Sequence, residues 1–305
     1  MVLAVNTEYT IESAVRETAI AFERAGLHFG HGTETAIDEA SWLILHAMGL
    51  SPAQAPDYSQ MLTEQQVNSC NRLLRERVQR KIPAAYLTGK AWFAGHEFIS
   101  DSRALVPRSP LAEFINDSFF GVLDHIAQPR ILDLCTGGGC IAIACAYARA
   151  HSQVDAGDVA AEALALAAEN VALHGLEQRV QLLQGSLFEP VSERYSLIIS
   201  NPPYVDAADI NGMPAEFLHE PMLGLAAGDD GLDLVHQMLR EASNYLEPDG
   251  VLVLEVGNSG EALEEAYPDV EFSWLQFARG GHGVFLLTCE ELLDLANKHQ
   301  SPVRN

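Results

Sequence analysis

Hydrophobic positions change their period along the chain, and the changes divide it. Over residues 10–29 apolar side chains recur at Ile11, Val15, Ala19 and Phe22, one face of a helix. Residues 33–48 repeat the pattern with Ile37, Ala40, Ile44 and Ala47, and Gly49 with Pro52 stops it. A third helix opens at Thr63, where Gln66 completes a capping box. It runs through Val67, Leu73, Leu74 and Val78 and stops before Pro83. Residues 1–90 therefore read as a small all-helical domain, with 80–90 (RKIPAAYLTGK) as its linker.

Beyond residue 90 the period shortens. Trp92 and Phe93, a turn at Gly95 and residues 96–100 read as a hairpin. Ser109 as N-cap and Pro110 in the first turn predict a helix ending before Pro129. Residues 91–129 are thus a hairpin and helix linker. From 130 to 293 strand and helix alternate. Strands are predicted at 130–134, 154–158, 180–184, 195–200, 251–256, 271–276 and 284–288. Helices fit at 140–150 and 160–174, with a short piece near Leu187. This alternation predicts an α/β fold built on a doubly wound sheet. No crossover helix fits between the last two strands, so they form an antiparallel hairpin at one edge. Residues 294–305 read as a polar, frayed tail.

Composition adds constraints. No apolar run approaches the roughly 20 residues that cross a bilayer. The first residues lack a basic segment followed by an apolar one, so a cytoplasmic protein without a membrane partner is expected. The cysteines are Cys70, Cys135, Cys140, Cys145 and Cys289, an odd number without a C-x-x-C pair. That fits free thiols in a reducing compartment. Cys135, Cys140 and Cys145 are spaced by five, about 500° of helix, so they share no face and no metal site is expected. The net charge is −24, with 42 acidic against 18 basic residues. Such a surface repels a phosphate backbone and attracts a basic protein, or simply favours solubility.

The candidate chemistry gathers at the strand ends. After the first strand comes Asp133-Leu134-Cys135-Thr136-Gly137-Gly138-Gly139. The glycines, Gly137 and Gly139 among them, let the backbone approach a ligand and turn into a helix, and Thr136 joins them as a candidate for cofactor binding. The Lys-Ser/Thr of a phosphate-cradling loop is missing. A carboxylate at Asp133 would repel phosphate but welcome a cation, which favours S-adenosyl-L-methionine over ATP or NAD. Asp158, at the second strand's end, is spaced to accept ribose hydroxyls; Asp155 lies inside the strand. Ser186 and Leu187 follow the third strand, where an adenine would lie. After the fourth comes Asn201-Pro202-Pro203-Tyr204. The prolines stiffen this turn. It presents a side-chain amide, backbone carbonyls and an aromatic ring, a set that grips a planar group carrying NH2.

These motifs, in this order, resemble the class I S-adenosylmethionine-dependent methyltransferases that modify planar amino groups. Within them the chain resembles the protein glutamine N5-methyltransferases, through PAAYLTG and HEPMLGLAAGDDGLD (219–233) as well. Cys135 and the segment 102–113 (SRALVPRSPLAE) are similar to the type that methylates large-subunit ribosomal protein three. The release-factor type tends to read D-L-G-T-G-S-G and P-R-x-D-T-E instead. The resemblance implies a seven-stranded sheet with an antiparallel last strand, a helical N-terminal domain that holds a basic substrate protein, and no direct nucleic-acid partner. It implies Asn201, Pro202 and Tyr204 as catalytic residues and Pro203 as substrate-binding. Phe98 either covers the other face of the amide or belongs to the core. Arg108 either binds the cofactor's carboxylate or makes a capping contact, and Glu220 braces the loop after the NPPY turn. Gly138 stands where Ser is usual. Ser186 replaces a usual Asp, which removes charge assistance from the adenine contact. The rival readings are a release-factor methyltransferase, an adenine N6-methyltransferase and a non-catalytic ribosome-assembly factor.

Overall fold

Three helices open the chain: α1 (Ile11–Arg24), α2 (Ala36–Ala47) and α3 (Glu64–Arg80). This computed structural model describes residues 3–4, 8–50, 56–205, 212–225, 227–228 and 230–300. Pro52, residues 226 and 229 of the 219–233 motif, and 301–305 of the expected tail lie outside them. Thr63 and Gln66 form the expected capping box, and Thr10 with Ser13 forms another. The apolar stripe of α2 is offset from the one expected. Ile37 is 51% exposed, whereas Ala36, Ala40, Leu43 and Ile44 are buried. The 80–90 linker is not featureless. Ala84–Thr88 forms α4, with Gly89 in the left-handed region at its C-cap. Ala84 and Ala85 are buried in the core of the helical unit.

Strands β1 (Lys90–Phe93) and β2 (His96–Ile99) pair antiparallel as expected. Ala94 and Gly95 both take positive φ, the geometry a two-residue hairpin turn needs. Helix α5 (Leu111–Asn116) is much shorter than the reach to Pro129. The chain leaves helical geometry at Ser118, Phe119 and Phe120, all at positive φ, and this turn buries Phe119 completely.

The remaining strands are β3 (Arg130–Leu134), β4 (Gln153–Asp158), β5 (Val180–Gln184), β6 (Tyr195–Ser200), β7 (Leu246–Glu255), β8 (Ser273–Trp274) and β9 (Val284–Thr288). They form a seven-stranded sheet of order β5-β4-β3-β6-β7-β9-β8. The first five run parallel, and β9 is antiparallel to both β7 and β8. Helices α6 (Cys140–Ala148), α7 (Ala161–Leu173), α8 (Asp233–Glu241), α9 (Gly260–Ala266) and α10 (Cys289–Gln300) complete the unit. Alternation along β3 sends Ile131 into one apolar layer with Phe114 and Ile143, and Leu132 into the other with Met238 and Leu292. Residues 294–300 are therefore not a frayed tail. They continue α10, and Leu295 is buried. Strand order reverses between β3 and β6, and a crevice opens at such a switch point beyond the carboxyl ends of the strands.

Candidate active site

Two adjoining cavities occupy that crevice. The smaller, about 420 Å³, is lined by Gly157, Asp158, Gly185, Ser186, Leu187 and Pro203, among others. The larger, about 700 Å³, is lined by His28, Arg108, Thr136, Pro202, Tyr204 and Phe217, among others. Leu105, Cys135, Gly137, Asn201 and Gly224 line both. Asn201 thus stands where a ligand in one cavity would meet a ligand in the other.

The glycine turn divides its labour. Gly137 has φ +55° and donates its N–H to Asp158 Oδ2 at 2.9 Å. Asp158 Oδ1 accepts from Ala160 N at 2.9 Å. Each carboxylate oxygen holds a spare lone pair. The smaller cavity therefore offers a diol-accepting group and, in Leu187, an apolar wall. These residues fit the nucleoside half of S-adenosyl-L-methionine. Asp155 belongs elsewhere: its Oδ2 accepts from Tyr195 Oη at 2.7 Å and Arg130 Nη2 at 3.1 Å.

Two residues of the turn depart from the sequence reading. Asp133 lines neither cavity. Its Oδ2 accepts from Thr136 Oγ1 at 2.5 Å and Ala142 N at 3.0 Å, bracing the turn from beneath. Its Oδ1 is buried with no hydrogen-bond partner among the described residues, and burial pushes the carboxyl up to about 7. Any influence on a bound cation acts through space. Gly139 also lines neither cavity. A Cβ there would lie 3.2 Å from Ala167 Cβ, so this glycine serves the close approach of α7.

The side chain of Asn201 has no hydrogen-bond partner among the described residues. Pro202 is buried beside it, and Pro203 faces the smaller cavity. Tyr204 lines the larger cavity and donates its hydroxyl to Glu255 Oε1 at 2.9 Å. Burial and the adjacent Glu255 charge raise the phenol far above its ordinary value, so it stays neutral. Cys135 takes φ +57°, unusual for a side chain other than glycine. Burial raises its thiol strongly as well.

Phe98 is not a substrate clamp. It is 1% exposed, packs 5.1 Å from the His174 ring and belongs to the core beneath the sheet. Hairpin register decides this, pairing Phe98 with the buried Ala91. Arg108 does line the larger cavity, but both terminal nitrogens bond Glu220, at 2.6 and 2.8 Å. With its charge balanced there, it braces the wall rather than clamping a carboxylate. Sequence reasoning missed Glu255, Ser109 as its partner, Phe217 and His28. All are placed by contacts distant along the chain, which no local pattern announces.

Residues 117–228 match the family described as "Methyltransferase small domain", and residues 22–89 match "PrmC N-terminal domain". The first span includes β3 to β6 and the NPPY turn. A ribosomal protein uL3 glutamine methyltransferase from Xanthomonas campestris is 46% identical over 93% of this chain and 93% of its own. The protein of the same name from Xylella fastidiosa is 45% identical over 97% of this chain and 94% of its own. Among solved structures, a methyltransferase from Pyrococcus furiosus overlaps 72% of this chain and 96% of its own, at 19% identity and a TM-score of 0.43. Identity at that level over nearly the full length of the curated relatives decides the matter: the chain belongs to the family of ribosomal protein uL3 glutamine methyltransferases.

Proposed function

We infer that the protein methylates the side-chain amide nitrogen (N5) of a glutamine in ribosomal protein uL3, with S-adenosyl-L-methionine as donor. The observation that carries this reading is the position of Asn201, on the shared wall of the two cavities. Asp158, Gly137, Ser186 and Leu187 would hold the nucleoside end of the donor. When bound, the donor supplies an electrophilic methyl group.

The chain's own residues must then manage a poor nucleophile, because the amide lone pair is delocalised into the carbonyl. The Asn201 side-chain oxygen and the Pro202 carbonyl are the acceptors for the two N–H bonds. Pinning them fixes the NH2 and favours the positive charge that develops on nitrogen. The Tyr204 ring packs on the flat amide. As the N–C bond formed, the donor's sulfur–methyl bond would break to leave a neutral thioether, and the surplus amide proton would pass to water, so no strong base is required. The two arginines facing the cavities are both neutralised, Arg103 by Asp101 and Glu169 and Arg108 by Glu220. That speaks for a polypeptide over a phosphate backbone. Among the described residues no helix is long and apolar enough to cross a membrane.

The test is transfer of labelled methyl to uL3 and to a release factor in parallel. Labelling of uL3 that disappears when its target glutamine becomes alanine, and when Asn201 becomes alanine, supports the reading. Label that persists without the glutamine, or that goes only to the release factor, overturns it.

A further inference from the structure

Tyr204 is held at three points, and the polar anchor is a residue that the catalytic motif does not contain. Its hydroxyl donates to Glu255 Oε1 at 2.9 Å. Its carbonyl accepts from Ser259 Oγ at 3.1 Å. Its ring lies on Gly257, where a Cβ would sit 2.5 Å from ring carbon Cε2. Gly257 has φ +49°, so the position excludes a side chain on two counts.

Glu255 ends β7, the strand beside β6. Ser200 pairs with Leu254, so the register sets Glu255 level with Asn201. The Glu255 residue is 4% exposed. A buried carboxylate is costly unless hydrogen-bonded. Here Tyr204 satisfies one oxygen and Ser109 Oγ the other, at 2.5 Å. Ser109 also accepts from Leu111 N at 3.1 Å, which ties the arrangement to the start of α5. Hydrogen bonds to a carboxylate are roughly twice as strong as neutral ones. They suit a joint that must keep a ring in one plane.

We propose that Glu255 is a positioning residue for methyl transfer: its carboxylate locks the Tyr204 ring in the orientation that receives the acceptor amide. The Tyr204 hydroxyl is committed to Glu255, so the ring face, and not the phenol, meets the substrate. This rests on the function inferred above.

The test uses the full chain with uL3 as substrate and compares Glu255→Ala, Glu255→Gln and Ser109→Ala. Glu255→Ala frees the ring, and kcat/KM for uL3 falls on the order of tenfold or more, since small misplacements near the reacting atoms are costly. Affinity for S-adenosyl-L-methionine, read by calorimetry, stays within about twofold, because Glu255 lines neither cavity. Glu255→Gln keeps an acceptor for Tyr204 and restores most of the rate. Equal losses of cofactor affinity and rate, or a Glu255→Ala enzyme with wild-type kcat/KM, overturn the proposal. If Glu255→Ala does not fold, Ser109→Ala carries the same test, with an intermediate loss of kcat/KM expected and wild-type kcat/KM overturning it. Failure of the underlying function is separate: the wild-type protein then labels no uL3 at all.

Discussion

Arg108 and Glu220 lie 112 residues apart and face each other through two hydrogen bonds, of 2.6 and 2.8 Å. Glu220 also accepts from Val106 N at 2.9 Å, and His31 Nε2 stands 3.5 Å from its second oxygen. One carboxylate therefore joins the helical unit, the 106–108 segment and the loop after NPPY. Its side chain is fully buried, and that of Arg108 is 27% exposed. Glu220→Gln should cost about 3 kcal/mol, as one-sided removals from buried pairs do.

The same pair predicts a pH dependence. Burial alone would raise the Glu220 carboxyl, but His31 and Arg108 override it and hold it at about 2. A depressed folded value means that the stabilisation is present above the ordinary value of 4.5 and is lost as pH falls towards about 2. The melting-temperature gap between wild type and Glu220→Gln should be full from neutral pH down to about 4.5 and narrow only below that. A gap that stays constant down to the most acid pH at which both fold contradicts this assignment.

Arg77 makes a second joint. It is 1% exposed and donates to Glu39 at 2.6 Å, Glu216 at 2.9 Å and the His28 carbonyl at 2.7 Å. Arg77→Met strands two buried carboxylates and should cost about 3–5 kcal/mol in urea unfolding. Replacing all three charged side chains with Met or Leu should recover most of that, because the desolvation cost disappears with the pair. A triple variant no more stable than Arg77→Met would contradict this account.

What was legible in the sequence was whatever depends on neighbours. Strand and helix periods gave the sheet, and turn chemistry placed Asp158, Ser186 and Asn201 at strand ends. What escaped depends on distant contacts or on register. The sequence marks Glu220 as a brace, but nothing local selects Arg108 as its partner. Glu255 is one acid after an apolar run, and only the β6–β7 register sets it beside the NPPY turn. Gly139 resembled its neighbours in the turn, but the approach of α7 gives it a packing role. The stripe on α2 slipped by one position because Ala36 and Ile37 fit a helical period equally well.

Phe98 tests that reading of register. As a core side chain, its change to alanine should cost about 3–5 kcal/mol of stability. The KM for uL3, measured well below the melting temperature, should not change. A selective rise in that KM with stability intact would restore the clamp.

Asp158 tests the smaller cavity. Its carboxylate holds Gly137 N and Ala160 N while facing the cavity. Asp158→Ala removes the acceptor for a diol, and each hydrogen bond to a charged group is worth about 1.5–3 kcal/mol. Affinity for S-adenosyl-L-methionine should fall by about 100-fold, since each tenfold step is about 1.4 kcal/mol. Calorimetry showing a change of threefold or less would remove Asp158 from the cofactor set.

Cys135 sets stability against activity at one position. Its φ of +57° is strained for any residue with a Cβ, yet the residue lines both cavities. Left-handed backbone costs an L-residue roughly 1–2 kcal/mol, while glycine adds flexibility to the unfolded chain that offsets part of the gain. Cys135→Gly should therefore be more stable than Cys135→Ala by roughly 0.5–1 kcal/mol, the reverse of the usual order of these residues in a regular element. The glycine variant also leaves a gap in the wall where the two ligands meet, so its rate of uL3 methylation should fall severalfold although it melts higher. Unfolding curves and initial rates on the same preparations decide the point. A glycine variant less stable than the alanine variant would mean that the backbone at Cys135 carries no strain.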